Sequence, residues 1–158
     1  MKLPILFAAS LSCAMPAAAF AGPASDAVRF FYAPVRYEAE LQYRDRFTEP
    51  VTKLFELNDK SQETPGQAPC IDFGPGLDAQ DYDERTVART LRLSEKIDGD
   101  TAQVTAKFSL FPQGDDAGRE MLWTLRKIDG KWKIADIASV TNEWKLSELE
   151  CMLGNGQD

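Results

Sequence analysis

The chain of 158 residues contains no histidine. That absence removes the base from Ser-His-Asp and Cys-His nucleophilic sites, and it removes a principal ligand of ordinary zinc centres. No G-x-x-x-x-G-K-[ST] loop and no G-x-G-x-x-G turn occurs, so the phosphate cradles of nucleotide enzymes are missing too. Cations are outnumbered, 18 lysines and arginines against 25 acids, for a net charge of −7. Sequence-independent nucleic-acid binding relies on clustered cations that displace counterions from phosphates, so this balance argues against it and against docking on anionic lipid. Past the amino-terminal segment, no stretch approaches the roughly 20 apolar residues needed to span a hydrocarbon core.

What is present begins with MKLPILFAASLSCAMPAAAFAGPAS. Lys2, an apolar run from about Leu3 to Met15 and the triplet Ala19-Phe20-Ala21 follow the order of a secretory signal peptide, with cleavage expected before Gly22. The run is too short for a transmembrane anchor. Ser10 stands where a lipobox wants an aliphatic residue, so Cys13 is expected to leave with residues 1–21. The remainder, 22–158, is one domain's worth of chain, bound for a periplasmic or secreted location. Its two cysteines, Cys70 and Cys151, are expected to form a disulfide in an oxidising compartment.

Periodicity divides that domain in two. Ser25-Asp26 resembles a helix N-cap ahead of Val28, Phe31, Tyr32 and Val35, with Pro34 ending the helix. A second helical stretch is expected from about Tyr37, carrying Tyr43, Phe47, Val51, Leu54 and Phe55, interrupted at Pro50 and restarted by Thr48. Residues 61–69 read as a loop. From Thr86 the pattern alternates, predicting strands over 86–97, 101–111, 119–128 and 131–140, with tight turns at Asp98-Gly99 and Asp129-Gly130. A short helix is expected from Asn142 to Leu153, closed by Gly154. The sum is an α+β domain: N-terminal helices packed on a four-stranded antiparallel sheet, with a short C-terminal helix.

Between the halves lies CIDFGPGLDAQDYDE, residues 70–84. Asp72, Asp78, Asp81, Asp83 and Glu84 invite a calcium reading, but glycines precede the acids and the EF-hand spacing is not met. The structural alternative has Asp72 and Asp78 bonding to nearby backbone amides and Asp81 on a solvated surface. On that reading no metal and no cofactor is called for.

AVRFFYAPV, IDFGPGLDAQDYD, AQVTAKF and WTLRKIDGKWKIADI together resemble an exported bacterial domain-of-unknown-function family within the cystatin-like, nuclear transport factor 2-like cone superfamily. The most specific parts are Asp72, the run Asp78-Ala79-Gln80-Asp81, and Trp132 through Ile137. The resemblance implies a strongly curved sheet wrapped around a long helix and carries over no activity. Enzymes of the cone superfamily include ketosteroid isomerase, whose chemistry needs a cavity aspartate and a phenol or protonated carboxyl as oxyanion donor. Asp136, in phase with Trp132 and Ile134, could be that aspartate, and Tyr32 or Tyr43 the phenol. Fold alone does not decide this.

Phe30, Phe31, Tyr32, Phe47, Phe55, Phe108, Trp123 and Trp132 either fill the core or line a ligand cavity, and regular period favours the core. The function expected is that of an exported, non-catalytic accessory or binding protein using a sheet surface or a small cone pocket. Its partner would be a protein, including a toxin in the immunity-protein manner, or a small apolar ligand. A cofactor-free isomerase-like enzyme is the alternative. Self-pairing into a homodimer through Leu122 and Ile128 is a third possibility.

Overall fold

The computed structural model describes residues 22–151 apart from positions 64 and 115. The expected leader, and Leu153 with Gly154, therefore lie outside the described residues. The alternation along 101–111 is realised as β2 (Thr101–Ser109), whose residues Ala102, Val104, Ala106 and Phe108 are buried while Gln103 and Lys107 are exposed. β2 is flanked by β1 (Arg92–Asp98) and β3 (Gly118–Ile128), followed by β4 (Lys131–Ser139) and a two-residue β5 (Trp144–Lys145). All neighbours pair antiparallel in sequence order, so the sheet is a five-stranded meander rather than the expected four strands. The β3–β4 turn is Asp129-Gly130 as expected, while the β1–β2 turn is Gly99-Asp100, one position on from the expected Asp98-Gly99, because Asp98 pairs with Thr101. Asp129 and Gly130 both take positive φ (49° and 75°), as the backbone twist of a two-residue hairpin requires.

Among the described residues three α-helices join the sheet: α1 (Pro23–Arg29), α2 (Val51–Glu63) and α3 (Glu84–Thr90). Trp123 on β3, fully buried, stacks on Phe31 at 5.7 Å between ring centroids. Phe31 in turn meets Phe47 (5.4 Å), and Phe47 meets Phe55 of α2 edge-on (5.0 Å). This file of rings fills the space between helices and sheet, so most of the aromatics are core.

Several local expectations are corrected. α1 starts at Pro23 with Gly22 as N-cap, and Ser25 lies buried within its first turn. A Pro at the first helical position is pre-set for the helix, and Glu95 of β1 supplies the acceptor, taking the Ser25 N–H at 2.6 Å. The helix expected from Tyr37 breaks at Pro50: the part past it is realised as α2, which runs to Glu63 into the expected loop, and the part before it shrinks to a 3-10 helix, Leu41–Arg46. Beyond it Phe47 bridges to Ile134 and the Thr48 N–H donates to the Ile134 carbonyl at 2.8 Å, occupying β4 where β5 does not reach. The strand expected from Thr86 is α3 up to Thr90. Val87 and Leu91 fit both a helical and a strand period, and Asp83 decides between them by accepting the Thr86 N–H at 2.7 Å as N-cap. Within the described residues the expected C-terminal helix is replaced by β5 and a 3-10 turn, Leu146–Glu148.

The most consequential correction is in β4. Thr124 pairs with Asp136, but Leu125 pairs with Ile134, leaving Ala135 as an extra residue. This bulge reverses the phase. Ile134 and Ile137 face the core beside Leu125 and Trp123, whereas Asp136 lies with Thr124 on the other face and is not in phase with Ile134. That outer face carries exposed Arg92, Lys96, Gln103, Lys107 and Arg126 around a half-buried Leu122, so the apolar area expected for self-pairing is broken up by charge. Among the described residues no helix is long and apolar enough to cross a membrane.

Candidate functional site

The stretch 70–81 is anchored by two groups that grip the backbone of one residue, Gly76. The Gly76 N–H donates to Glu38 Oε1 at 3.0 Å, and the Gly76 carbonyl accepts from the Tyr32 hydroxyl at 2.6 Å. Trp123 Nε1–H donates to that same hydroxyl at 3.1 Å. Only glycine fits there: a Cβ would collide with Glu38 Oε1 and stand 2.7 Å from Trp123 Cζ2. Burial pushes the Tyr32 hydroxyl well above its ordinary range, with the nearby Glu38 charge adding to this. Burial likewise pushes Glu38 up to about 8, so it is largely protonated at neutral pH. Glu38 Oε2 has no hydrogen-bond partner among the described residues. Nearby, the Tyr37 hydroxyl donates to the Ile71 carbonyl at 2.8 Å and is pushed up to about 12, first by burial and then by the Glu38 charge. Glu38 escaped sequence reasoning because it sits in no motif; only the rarity of a fully buried glutamate marks it.

Asp78 organises the other side of the loop. Its backbone is left-handed (φ 54°). Its Oδ2 accepts from Ser139 Oγ at 2.6 Å and from Asn142 Nδ2, while Oδ1 accepts from Trp144 Nε1–H at 2.7 Å. Arg119 approaches with Nε 3.8 Å from Oδ2. The expected backbone-amide partners are thus replaced by side chains of the β4–β5 connection. Asp72 is exposed, and its carbonyl accepts from Gln80 Nε2 at 3.0 Å; Asp81 is exposed. Among the described residues no three carboxylates or thiols converge to hold a metal ion. Cys70 and Cys151 are disulfide-bonded with Cα atoms 5.1 Å apart, closing the base of the loop onto the tail.

Asp136 is fully engaged. Its Oδ1 accepts from the Ile137 and Ser147 N–H groups at 3.0 and 3.1 Å. Its Oδ2 accepts from Ser147 Oγ at 2.5 Å and pairs with Lys145 Nζ at 3.4 Å. Tyr43 stands edge-on to Phe30 and Phe31, on the helix side of the sheet. The structure therefore brings neither Tyr32 nor Tyr43 to Asp136, which faces the opposite side from Trp123.

Where the anchored loop meets the tail, a surface groove of about 330 Å³ opens, lined by Phe73, Asp78, Ala79, Gln80, Trp144 and Leu149. Phe73 and Trp144 meet edge-to-face at 5.3 Å, and the bond to Asp78 leaves the indole ring as groove wall with its N–H already satisfied.

No family model matches the chain. No curated protein matches it either. Among solved structures it is similar to one chain of the type VI native effector-immunity complex Tae3-Tai3 from Ralstonia pickettii. That likeness has 22% identity and a TM-score of 0.51, and it covers 77% of this chain and 98% of the other.

Proposed function

We propose that this chain is an exported, non-catalytic protein that binds a protein partner and blocks it, in the manner of an immunity protein. The likeness over nearly the whole of one chain of an effector–immunity assembly carries the reading. Two features of the chain favour the blocking over the toxic role. Its candidate catalytic aspartate has its carboxylate oxygens engaged by the β5 turn, and its buried carboxyl, Glu38, is packed against Gly76 and Trp123. A disulfide suits an oxidising compartment such as the periplasm, where the expected leader would deliver the chain.

The test is co-expression in the periplasm with each protein encoded by the genes flanking its own, taking the one that arrests growth. Growth restored by this chain, together with a complex of the two on gel filtration, is the expected result. Growth arrest that this chain does not relieve, with the two proteins eluting separately, would overturn the proposal. The isomerase alternative would now have to run through Glu38 and Tyr32 rather than Asp136, since these two bond to the backbone of the same residue, Gly76, and Glu38 holds its proton at neutral pH. Turnover of a steroid enone that Glu38→Gln abolishes would support it.

A further inference from the structure

The groove between the stapled loop and the tail is built from segments rich in exposed acids. Each apolar or amide residue that lines it, Ala79 excepted, is followed or preceded directly by an exposed acid: Asp72 beside Phe73, Asp81 after Gln80, Glu143 before Trp144, and Glu148 and Glu150 on either side of Leu149. The exposed cation within this run, Lys145, is already paired with Glu148 (3.3 Å) and Asp136 (3.4 Å). Asp78 on the floor spends its carboxylate on Ser139, Asn142 and Trp144. The groove is thus lined by residues whose sequence neighbours are exposed acids, with Arg119 Nε 3.8 Å from Asp78 Oδ2 beside its floor. Its walls are held apart at a set spacing by the Cys70–Cys151 bond and by the Trp144–Asp78 hydrogen bond.

We infer that this groove docks an apolar side chain flanked by lysine or arginine on a basic segment of a protein partner. The inference rests on the partner-binding reading and names the surface for it. Charge complementarity argues for that occupant. The apolar anchor would be desolvated between Phe73, Trp144 and Leu149, and flanking cations would meet the exposed acids or lie over the ring faces. A second copy of this acidic chain would bring like charge to the same acids, and an uncharged apolar ligand would leave them unused.

The test needs no identified partner. The disulfide-bonded chain is titrated with the capped peptide Lys-Lys-Leu-Lys-Lys while the Trp144 indole and the Ala79 and Gln80 amides are followed by NMR. Lys-Lys-Ser-Lys-Lys and Glu-Glu-Leu-Glu-Glu serve as controls. Saturable shifts confined to the groove, weakened at least about tenfold by either control and by half-molar salt, sustain the inference. The exposed triple variant Asp72→Lys, Asp81→Lys, Glu150→Lys should weaken binding to a similar extent, and Ala79→Arg, which places a cation in the groove, should abolish it. Resonances elsewhere report that each variant is folded. Shifts that ignore the central leucine, or that spread over surface acids at large, overturn the inference, as does an absence of saturable shifts. Growth rescue undiminished in the Ala79→Arg variant would also overturn it while leaving the blocking role intact. Peptide binding in the groove without any growth rescue would uphold the docking site and remove the blocking role.

Discussion

Glu38 keeps its proton to about pH 8 in the folded chain, because burial penalises its charged form, while in the unfolded chain it releases that proton near the ordinary glutamate value. Between those values the native state therefore holds more protons than the unfolded state. Its contribution to stability is full below about pH 4.5, falls as pH rises and levels off above about pH 8. The steepest expected slope is about 1.4 kcal/mol per pH unit. Urea unfolding at pH 5, 6.5 and 8 should show this decline in the wild type and lose it in Glu38→Gln. An unchanged slope in the variant would place the titrating group elsewhere. Asp78 presents the opposite case, a carboxylate that spends its charge on donors. Asp78→Ala removes the acceptors of Ser139 and Trp144 and puts a Cβ-only side chain at a left-handed position, so a loss of about 2–4 kcal/mol is expected. Asp78→Asn keeps a residue that tolerates that backbone and should cost less, read by the same denaturant midpoints.

At the scale of elements, one extra residue in β4 decides what Asp136 does. The bulge at Ala135 turns the aspartate out of the core phase and onto the 3-10 turn, where Ser147 donates to it twice. The pair should therefore be coupled. A double-mutant cycle on Asp136→Asn and Ser147→Ala should give an interaction energy of about 1–2 kcal/mol, and additive losses would show that the turn is held by other contacts. The β3–β4 turn and β2 were legible because an Asp-Gly pair and strict alternation each point to one backbone geometry. α3 was not, because Val87 and Leu91 satisfy two periods and only the Asp83 cap discriminates. The C-terminal helix failed for a different reason. Leu146 and Ser147 are drawn to β4 by burial and by the Asp136 carboxylate, and tertiary contact overrides helical spacing.

Across the whole molecule, the Cys70–Cys151 bond joins positions 81 residues apart and ties the anchored loop to the tail. Closing a loop of that length removes unfolded-state entropy worth up to ~4–5 kcal/mol. The Cys70→Ser, Cys151→Ser variant should lose stability of that order in urea, and dithiothreitol should lower the wild type to the same midpoint. A midpoint unmoved by reduction would mean that the loop is held by Glu38, Tyr32 and Asp78 alone. Loss of peptide binding should accompany reduction, because the groove's two walls belong to the two segments that the bond connects.

By itself the sequence determined the class of the fold, the disulfide partners and the chemistries excluded. Those follow from composition, from short-range period and from the count of cysteines and histidines, which need no knowledge of distant contacts. The tertiary structure alone decided which acids matter. Glu38 is set apart by burial under Gly76, Asp78 by donors from the β4–β5 connection, and Asp136 by a single bulge. A carboxylate's role depends on its partners and its access to water. In this chain the partners that set these roles include Ser147, 11 positions from Asp136, and Trp144, 66 positions from Asp78, beyond the reach of any local pattern.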